Sequence, residues 1–294
     1  MARILLLGAG GQLGMQLNKA LAAIAGTELT ALTRAELDFA DAEAIRAAIR
    51  KAKPEIVINA AAYTAVDKAE SEQEQARLVN AVAPGVIAEE LAKSNGWLIH
   101  YSTDYVFDGT GTKPWVETDA TGPLGVYGQT KLDGEVAIAA AGTRHVILRT
   151  SWVYAAEGRN FLHTMLRLGR ERDLLKIVDD QIGAPTTAEA ITEATLAVLR
   201  PLAEHGENGD LSGVYHLACS GETSWCGFAR AIFEEFASRQ KAPEVVPIPT
   251  EAYPTPAKRP KNSRLCCGKF ATRFGFQMPE WRDALHDVAR SMLS

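Results

Sequence analysis

A glycine-rich loop near the amino terminus constrains the fold of this chain more than any other feature. Residues 8–14 have the pattern G-x-x-G-x-x-G and lie directly between an apolar run at 3–7 and a stretch of helical spacing at 15–25. Glycines here let the backbone turn tightly, approach a pyrophosphate and pack helix on strand, while the helix amino terminus favours the phosphate charge. The loop therefore predicts a dinucleotide-binding strand–turn–helix unit, centred on Gly8, Gly11 and Gly14.

The first half of the chain alternates short apolar runs with longer stretches of helical periodicity, which predict strands and helices respectively. The predicted strands cover residues 3–7, 28–33, 55–60, 97–102 and 144–150, and the predicted helices cover residues 15–25, 42–52, 78–93 and 130–141. This order predicts right-handed βαβ units. We expect an α/β fold of Rossmann type, a doubly wound parallel sheet with helices on both faces.

The second half is less regular and predicts a smaller α/β substrate-binding domain. Short strands at 176–178 and 213–217 are expected to extend the first sheet, and helices are expected at 188–199, 225–238 and 280–292. Six prolines between Pro243 and Pro260 are typical of a linker, or of an extended binding loop over a cleft. We predict an NAD(P)-binding domain of residues 1–149 with 174–217, and a substrate domain of residues 150–173 with 218–294.

Composition narrows the possible partners. The formal net charge is −5 and no run of Lys and Arg forms a patch, so a nucleic-acid surface is not expected. No segment approaches the ~18–20 apolar residues of a membrane span, and residues 4–7 are too short for a signal peptide. The cysteines lack zinc-site spacing, which favours reduced thiols: Cys219, Cys226, Cys266 and Cys267. We expect a cytoplasmic protein without a nucleic-acid or membrane partner.

The sequence Tyr127-Gly128-Gln129-Thr130-Lys131 is the sharpest chemical signal. Its i, i+4 spacing at the start of a helix places the phenol and the ammonium on one face. A free tyrosine, with a pKa of ~10, is a poor acid at neutral pH, and a nearby lysine would lower that pKa. The alternative is a plain surface pair on a helix. Together with the glycine loop, the spacing favours a catalytic Tyr127 and Lys131, with Lys131 also holding the nicotinamide ribose.

Two further segments end predicted strands at the carboxyl edge of the sheet, where ligands bind in open α/β folds. Thr103, in Ser102-Thr103-Asp104, offers a hydroxyl that could bind a substrate carbonyl and stabilise a developing alkoxide; the alternative is a simple turn. Small side chains in Asn59-Ala60-Ala61-Ala62 leave room for a cofactor ribose against the backbone.

The end of the second strand bears on the choice of cofactor. An Asp or Glu there usually holds the adenosine ribose, whereas an Arg accommodates a 2′-phosphate. Here Thr33 and Arg34 follow, with no acid at the strand end, which favours NADPH and leaves NADH possible; a surface arginine is the alternative. Asp38 and Phe39 are placed to meet the adenine, with a helix-capping role for Asp41.

Together these residues resemble the extended short-chain dehydrogenases that act on nucleotide sugars, and most closely the dTDP-4-dehydrorhamnose reductase family. The resemblance runs through nearly the whole chain and rests on residues 8–14, 59–67, 100–107, 127–131, 149–154, 180–186 and 259–265. It implies reduction of the 4-keto group of dTDP-4-dehydro-L-rhamnose by hydride from NAD(P)H. Tyr127 would donate the proton, Thr103 would hold the carbonyl, and Lys131 would tune Tyr127 and grip the ribose.

The same resemblance implies the remaining site residues. It places the pyrophosphate against Gly11, Gln12 and Leu13, and lines the rest of the cofactor site with Asp38, Phe39, Ala61, Ala62, Tyr63 and Tyr101. Substrate contacts would come from Thr103, Asp104 and Trp152, and at the nucleotide end from Gln181 and Arg259, since arginine suits a diphosphate. For Trp152, core packing is the alternative.

Two departures from the family pattern concern metal and cofactor. Some members are magnesium-bridged dimers that use glutamates, but the corresponding positions here are Gln16 and Ser291, so a metal is doubtful. Glu189 is the only acid left nearby. We therefore predict no metal site, and a monomer or homodimer. Thr33 stands where the family can carry a residue that favours NADH.

Two other functions compete with this interpretation. One is another nucleotide-sugar reductase, epimerase or dehydratase of the same class, but a dehydratase follows the Thr-Asp pair with a glutamate, and here Tyr105 follows Asp104. The other is a non-catalytic subunit that resembles the regulatory subunit of methionine adenosyltransferase. A pure binding module has no need of Thr103, Tyr127 and Lys131 together, which favours the enzyme.

Overall fold

The strands predicted in the first half of the chain pair with one another in parallel. The computed structural model describes residues 2–203 and 211–293. Its first half consists of β1 (Ala2–Leu7), α1 (Gln12–Ala22), β2 (Thr27–Leu32), α2 (Ala42–Ala52), β3 (Ile56–Asn59), α3 (Val66–Ala69), α4 (Gln73–Arg77), α5 (Ala83–Ala92), β4 (Trp97–Thr103), α6 (Val126–Ala140) and β5 (Arg144–Thr150). The second half consists of β6 (Val153–Tyr154), α7 (Phe161–Glu171), β7 (Leu174–Val178), β8 (Ile182–Gly183), β9 (Thr186–Thr187), α8 (Ala188–Ala203), β10 (Gly213–His216), β11 (Thr223–Ser224), α9 (Trp225–Glu235), β12 (Glu244–Ile248), α10 (Gly268–Phe274) and α11 (Trp281–Leu293).

The central sheet has six parallel strands in the order β2-β1-β3-β4-β5-β10. The chain moves outward from β1 to β2, then crosses back to β3 on the other side of β1. This reversal opens a crevice between the carboxyl ends of β1 and β3, where Leu7 lies in register with Asn59. Ligands bind at such a switch point in doubly wound folds. The Rossmann-type fold predicted from the sequence is confirmed.

Both faces of the sheet are buried, as the apolar strands predicted. Leu5 and Leu7 of β1 pack into one apolar cluster with residues of α2, α5 and α6, whereas Ile4 and Leu6 pack into the other with residues of α1 and α8. Each fully buried aliphatic side chain contributes roughly 1.5–3 kcal/mol, so the two clusters fix the register of the strands. The carboxyl edge of the sheet is thereby held rigidly for the site.

The helix predicted at residues 78–93 is interrupted. A π-helical turn, Leu78–Val82, links α4 to α5, and Pro84 lies in the first turn of α5. Proline has no amide hydrogen for the carbonyl four residues earlier, so the ordinary helical pattern cannot run through this point. Asn80 is buried within this π-helical turn. Its side chain accepts a hydrogen bond from the backbone nitrogen of Tyr63 and donates to the carbonyl of Tyr63 and to the hydroxyl of Thr130.

The second half contains elements that were not predicted, among them α7, α10 and β12, and one predicted strand pairs elsewhere. β7 pairs in parallel with β12 in a separate two-stranded sheet, so the prediction that residues 176–178 extend the first sheet was wrong. β12 lies within the proline-rich segment. Part of that segment is therefore a paired strand and not a linker or an open loop. β10 joins the central sheet beside β5, as predicted. The division into two domains stays a prediction.

Two findings bear on the class of protein. Within residues 2–203 and 211–293, no helix is both long enough and apolar enough to cross a membrane. All four cysteines are free thiols, two of them buried.

Candidate active site

Gly8, directly after β1, lies so close to the backbone that follows β3 that only glycine fits at this position. Gly8 has a positive φ of 82°, and a Cβ there would lie 2.6 Å from the backbone nitrogen of Ala61. Helix α1 then begins at Gln12 without a side-chain cap and without an acid in its first turn. Its first amide hydrogens therefore lack the usual side-chain partner. A backbone cradle with uncapped donors fits a pyrophosphate, and the residues present match the predicted cofactor.

The end of β2 carries an acid that the sequence interpretation overlooked. The carboxylate of Glu36 accepts hydrogen bonds from the backbone nitrogen and the hydroxyl of Thr33, at 2.9 and 2.8 Å. These two bonds lower the pKa of Glu36. The expectation of a strand end free of acids was therefore wrong, because the turn after β2 folds the carboxylate back onto Thr33. Arg34 beside it is exposed.

The other residues assigned to the cofactor occupy several environments. Asp38 accepts a hydrogen bond from the backbone nitrogen of Ala40, and Phe39 is buried in the apolar core. Ala61 and Ala62 are half-buried at the end of β3. The hydroxyl of Tyr63 donates to Glu72 at 2.5 Å, which raises the pKa of Tyr63 to about 12. The phenol of Tyr101 lies in the core against Thr195, at 2.7 Å. These positions leave the cofactor-binding roles as predictions.

Thr103 and Tyr127 meet at the carboxyl edge of the sheet. Thr103 is the last residue of β4, and its hydroxyl donates to Oδ1 of Asp104 at 3.1 Å, close enough to the phenol of Tyr127 in the first turn of α6 to influence its pKa. Glu70 holds the start of that helix by accepting from the backbone nitrogen of Val126 at 2.9 Å. The ring of Tyr105 packs edge-on against Tyr127, with centroids 5.5 Å apart. The predicted acid and the predicted carbonyl-binding hydroxyl therefore lie together.

The pKa of Tyr127 is shifted opposite to the expectation from the Tyr–Lys spacing. Burial raises it, the nearby hydroxyl of Thr103 lowers it, and the negative charge of Asp104 raises it further. The net effect is a phenol that keeps its proton well above neutral pH. Lys131 does not lower this pKa here, because its amine is directed elsewhere.

Lys131 is almost completely buried, with 1% of its surface exposed. Its Nζ lies 2.6 Å from the carbonyl oxygen of Tyr101 and 3.2 Å from Nε2 of His100. Burial lowers the pKa of Lys131 to about 8, although the charge of Glu135 acts in the opposite direction. His100 was not predicted to take part, although a histidine within an apolar strand is the signal that could have identified it.

A buried ion pair lies behind Lys131 and was also missed. Glu135, one turn further along α6, pairs with Arg149 of β5 at 2.7 Å and accepts a hydrogen bond from Ser102 at 2.5 Å. Both charged side chains are about 5% exposed. A buried ion pair is retained only with good geometry and further hydrogen bonds, which Ser102 supplies. An arginine inside an apolar strand was the available sequence signal.

Asp104 is a buried carboxyl beside the Thr103–Tyr127 pair. It is 2% exposed, and burial raises its pKa to about 6 against the opposing hydrogen bonds of Ser263 and Thr103. One of its oxygens, Oδ2, has no hydrogen-bond partner in the part of the chain described. A buried acceptor without a partner is costly, which suits an atom that receives a ligand donor.

Trp152 occupies a strained backbone position next to these residues. Its φ is +50°, a region that bulky side chains rarely adopt outside functional sites. The indole is half-buried and stacks on Trp225 of α9, with centroids 3.8 Å apart and planes 14° apart. Trp152 therefore has features of both predicted roles. It packs against Trp225, as core packing requires, and it stays partly exposed, as a substrate contact requires. Trp225 was not predicted.

Gln181 and Arg259 already have protein partners. Gln181 is buried and donates to the hydroxyl of Thr250 at 3.1 Å. Arg259 donates to Asp67 at 2.7 Å and to the hydroxyl of Tyr105 at 3.2 Å. Arg259 is thus joined to the segment after β3 and to the ring that contacts Tyr127. Gln181 lies in a separate hydrogen-bonded pair.

The positions considered for a metal provide few ligands. Gln16 lies on α1, and the hydroxyl of Ser291 donates to the carbonyl of Val288 at 2.8 Å. Glu189 at the start of α8 has its pKa raised by burial. Among the residues that the structure describes, no three His, Cys, Asp or Glu side chains form a group able to hold a metal ion.

A tyrosine near a threonine hydroxyl at the carboxyl edge of a parallel sheet, with a glycine cradle before the first helix of that sheet, is the arrangement expected of short-chain dehydrogenases. The fold and the site together place this chain among the NAD(P)H-dependent oxidoreductases of the extended short-chain class.

Comparison with known proteins gives the family. The family described as the RmlD substrate binding domain matches residues 2–294. A dTDP-4-dehydrorhamnose reductase of Burkholderia thailandensis is 46% identical over 298 residues, covering 99% of each chain. The crystal structure of a dTDP-4-dehydrorhamnose reductase from Clostridium acetobutylicum superposes with a TM-score of 0.91 at 35% identity, covering 99% of each chain. The crystal structure of a dTDP-4-dehydrorhamnose reductase from Bacillus anthracis, in complex with NADP, superposes with a TM-score of 0.89 at 31% identity and also covers 99% of each chain. The chain belongs to the dTDP-4-dehydrorhamnose reductase family.

Proposed function

We propose that this chain reduces the 4-keto group of dTDP-4-dehydro-L-rhamnose to dTDP-L-rhamnose with NADPH, the last step of dTDP-rhamnose biosynthesis. NADH is the second possible cofactor. The proximity of the Thr103 hydroxyl to the Tyr127 phenol carries the proposal, because it brings a proton donor and a carbonyl-binding hydroxyl together at the carboxyl edge of the sheet. The reductases named among the relatives and the NADP bound to the Bacillus anthracis structure support the substrate and the cofactor.

The chain's own residues divide the chemistry between them. Thr103 positions the carbonyl oxygen, and Tyr127 donates its proton to that oxygen as negative charge develops. The bound nicotinamide supplies the hydride. The amides at the start of α1, with Gly11, Gln12 and Leu13, hold the pyrophosphate, and Lys131 holds the ribose. This scheme uses no metal ion, because the two hydroxyls already stabilise the alkoxide.

The substrate side of the site is proposed from the remaining residues. Asp104 offers its unpartnered oxygen to a sugar hydroxyl, and Trp152 offers the part of its ring that Trp225 leaves uncovered. Arg259 contributes positive charge toward the nucleotide end, while Gln181 acts through its contact with Thr250. We place the enzyme in the cytoplasm, where NADPH and nucleotide sugars are supplied, as a monomer or homodimer.

An assay with the 4-keto sugar nucleotide tests the function directly. The purified protein should oxidise NADPH only when dTDP-4-dehydro-L-rhamnose is present, and the product should be dTDP-L-rhamnose by NMR. A parallel assay with NADH measures cofactor preference. Binding of NADPH without turnover would contradict the proposal and favour the non-catalytic binding subunit. Faster turnover of a different keto-sugar nucleotide would indicate another reductase of the same class.

A further inference from the structure

The ammonium of Lys131 is buried among uncharged partners. Its Nζ donates to the carbonyl oxygen of Tyr101 at 2.6 Å and lies 3.2 Å from Nε2 of His100. Burial and the charge of Lys131 hold the pKa of His100 well below its usual range, so this imidazole is neutral. Burial disfavours an ammonium, and neither of these contacts brings a negative charge to offset that cost. The charge of Lys131 therefore needs support from beyond its direct hydrogen bonds.

Glu135 is placed to give that support. It follows Lys131 by four residues on α6, so the two side chains lie on one face of the helix, and they are 4% and 1% exposed. Ser102 of β4 donates its hydroxyl hydrogen to Oε1 of Glu135 at 2.5 Å, directly after the residue whose carbonyl binds Lys131. Burial lowers the pKa of Lys131 to about 8, and the negative charge of Glu135 opposes a larger fall.

Arg149 holds the carboxyl of Glu135 in its charged form. Two nitrogens of the guanidinium, Nε and Nη2, donate to Glu135 at 3.0 and 2.7 Å. A buried carboxyl without a cation would tend to take up a proton, because burial disfavours its charge as well. The bidentate pair opposes this, and both side chains are about 5% exposed, so water screens the charges little. Glu135 is the member of the pair that shares α6 with Lys131, one turn away.

We propose that Glu135 and Arg149 are positioning residues that keep the side chain of Lys131 an ammonium at neutral pH. The effect on charge rests on the contacts between α6, β4 and β5. The effect on the enzyme rests on the proposed function, in which Lys131 holds the nicotinamide ribose. A hydrogen bond from an ammonium is charge-assisted and stronger than one between neutral groups. Loss of the charge should therefore weaken binding of NADPH.

The other titratable groups around Lys131 come from every element that surrounds it. They are His100 from β4, Tyr127 and Glu135 from α6, Arg149 from β5, Asp104 and Tyr105 from the turn after β4, and Glu70 at the start of α6. The phenol of Tyr127 and the imidazole of His100 are neutral at pH 7. Glu135 supplies the negative charge that raises the pKa of Lys131, so Glu135 is the residue to change.

NMR of the lysine side chains tests this charge without substrate or cofactor. In protein labelled at lysine Cε and Nζ, the Lys131 signals are assigned by their loss in Lys131→Arg. We expect Lys131 to titrate near pH 8 in the wild type and about one pH unit lower or more in Glu135→Gln, which keeps an acceptor without the charge. Glu90→Gln is the matched control, because Glu90 is also buried and paired with arginine but lies on α5. An unchanged Lys131 titration in folded Glu135→Gln would overturn the proposal.

Glu135→Asp separates charge from packing. It keeps the charge on a shorter side chain, so Lys131 should titrate at a higher pH in Glu135→Asp than in Glu135→Gln. Equal titration in the two variants would overturn the proposal, because packing alone would then explain the shift. If Glu135→Gln does not fold, the wild type decides. Its Glu135 side-chain carbon, assigned by loss of the signal in Glu135→Asp, should be that of a carboxylate at pH 7, and a protonated carboxyl would overturn the proposal.

The pH dependence of NADPH binding connects the charge with the enzyme. In the wild type, affinity should fall as the pH rises through about 8, where Lys131 loses its proton. In Glu135→Gln the same fall should begin about one pH unit lower or more, whereas Glu90→Gln should follow the wild type. A shifted Lys131 titration with unshifted NADPH binding would support the proposal and refute only the ribose contact in the proposed function. A loss of affinity equal at every pH, with an unshifted Lys131 titration, would show a purely structural role and overturn the proposal.

Discussion

The indole of Trp225 lies flat against that of Trp152, 3.8 Å away between ring centroids, and Trp152 holds a left-handed backbone conformation with φ of +50°. Such a conformation persists in a bulky residue only when its surroundings fix it. Trp225 belongs to α9 in the second half of the chain, and Trp152 lies two residues after the end of β5 in the central sheet. The stack therefore joins α9 to the segment that follows β5 of the central sheet.

Loss of this support should weaken substrate binding more than chemistry. Stacked aromatic pairs contribute roughly 0.5–1.5 kcal/mol beyond their buried area, so Trp225→Leu should raise the KM for the keto-sugar nucleotide about 2–10-fold. The Kd for NADPH should stay unchanged. Trp97→Leu, at the amino end of β4 and so at the opposite edge of the sheet, is the control. A KM equal to that of the wild type would show that Trp152 needs no support from α9.

Cofactor choice should depend on two charges of opposite sign at the end of β2. Arg34 is expected to bind the 2′-phosphate of NADPH, so Arg34→Ala should weaken NADPH roughly 10–100-fold and leave NADH nearly unchanged. The carboxylate of Glu36 lies on Thr33 in the same turn and opposes a phosphate there. Glu36→Gln keeps an acceptor for Thr33 without the charge, and should strengthen NADPH roughly fivefold.

Fluorescence titration of both cofactors with each variant measures these effects. Asp133→Asn, an exposed carboxylate on α6 away from β2, should leave both affinities unchanged. Equal losses for NADPH and NADH in Arg34→Ala would contradict a role specific to the phosphate. Weaker NADPH binding by Glu36→Gln would show that the turn at Thr33 matters more than the charge.

The ionised side chain of Asp104 should lower the free energy of unfolding at neutral pH. Its pKa is raised from 3.8 in the unfolded chain to about 6 in the folded protein, so the folded state keeps the proton to higher pH. The free energy of unfolding should therefore fall as pH rises from about 4 to 6, by at most about 3 kcal/mol. Asp104→Asn cannot ionise, and should be more stable than the wild type at pH 7.5 by about 1–3 kcal/mol, with the gain shrinking toward pH 4. Urea unfolding at both pH values measures this, and a less stable variant at pH 7.5 would contradict it.

Local patterns were sufficient to predict the central sheet. Most of its strands are short apolar runs, and β1, β2, β3 and β4 are each followed by a helix, so type and order can be read from neighbouring residues. β7 could not be placed in this way. Its partner β12 lies more than 60 residues away in a proline-rich segment, and pairing over that distance leaves no local pattern.

Within the site, sequence motifs were enough to identify Thr103, Tyr127 and Lys131 as candidates, and the structure places the first two close enough for Thr103 to influence the pKa of Tyr127. The partners that set their charge states were missed. A histidine in an apolar strand was a visible signal at His100, but the sequence does not show which side chain His100 or Glu135 contacts. The direction in which a pKa shifts depends on how deeply the group is buried. The pKa of Tyr127 therefore rises, although a lysine lies one turn away.

The turnover of Tyr127→Phe tests the central assignment most directly. The substitution keeps the ring against Tyr105 but removes the phenolic proton that Tyr127 would donate to the carbonyl oxygen. With saturating NADPH and dTDP-4-dehydro-L-rhamnose, kcat should fall by about 10²–10⁴-fold while the Kd for NADPH stays within about twofold of the wild type. A kcat within a few-fold of the wild type would contradict Tyr127 as the proton donor.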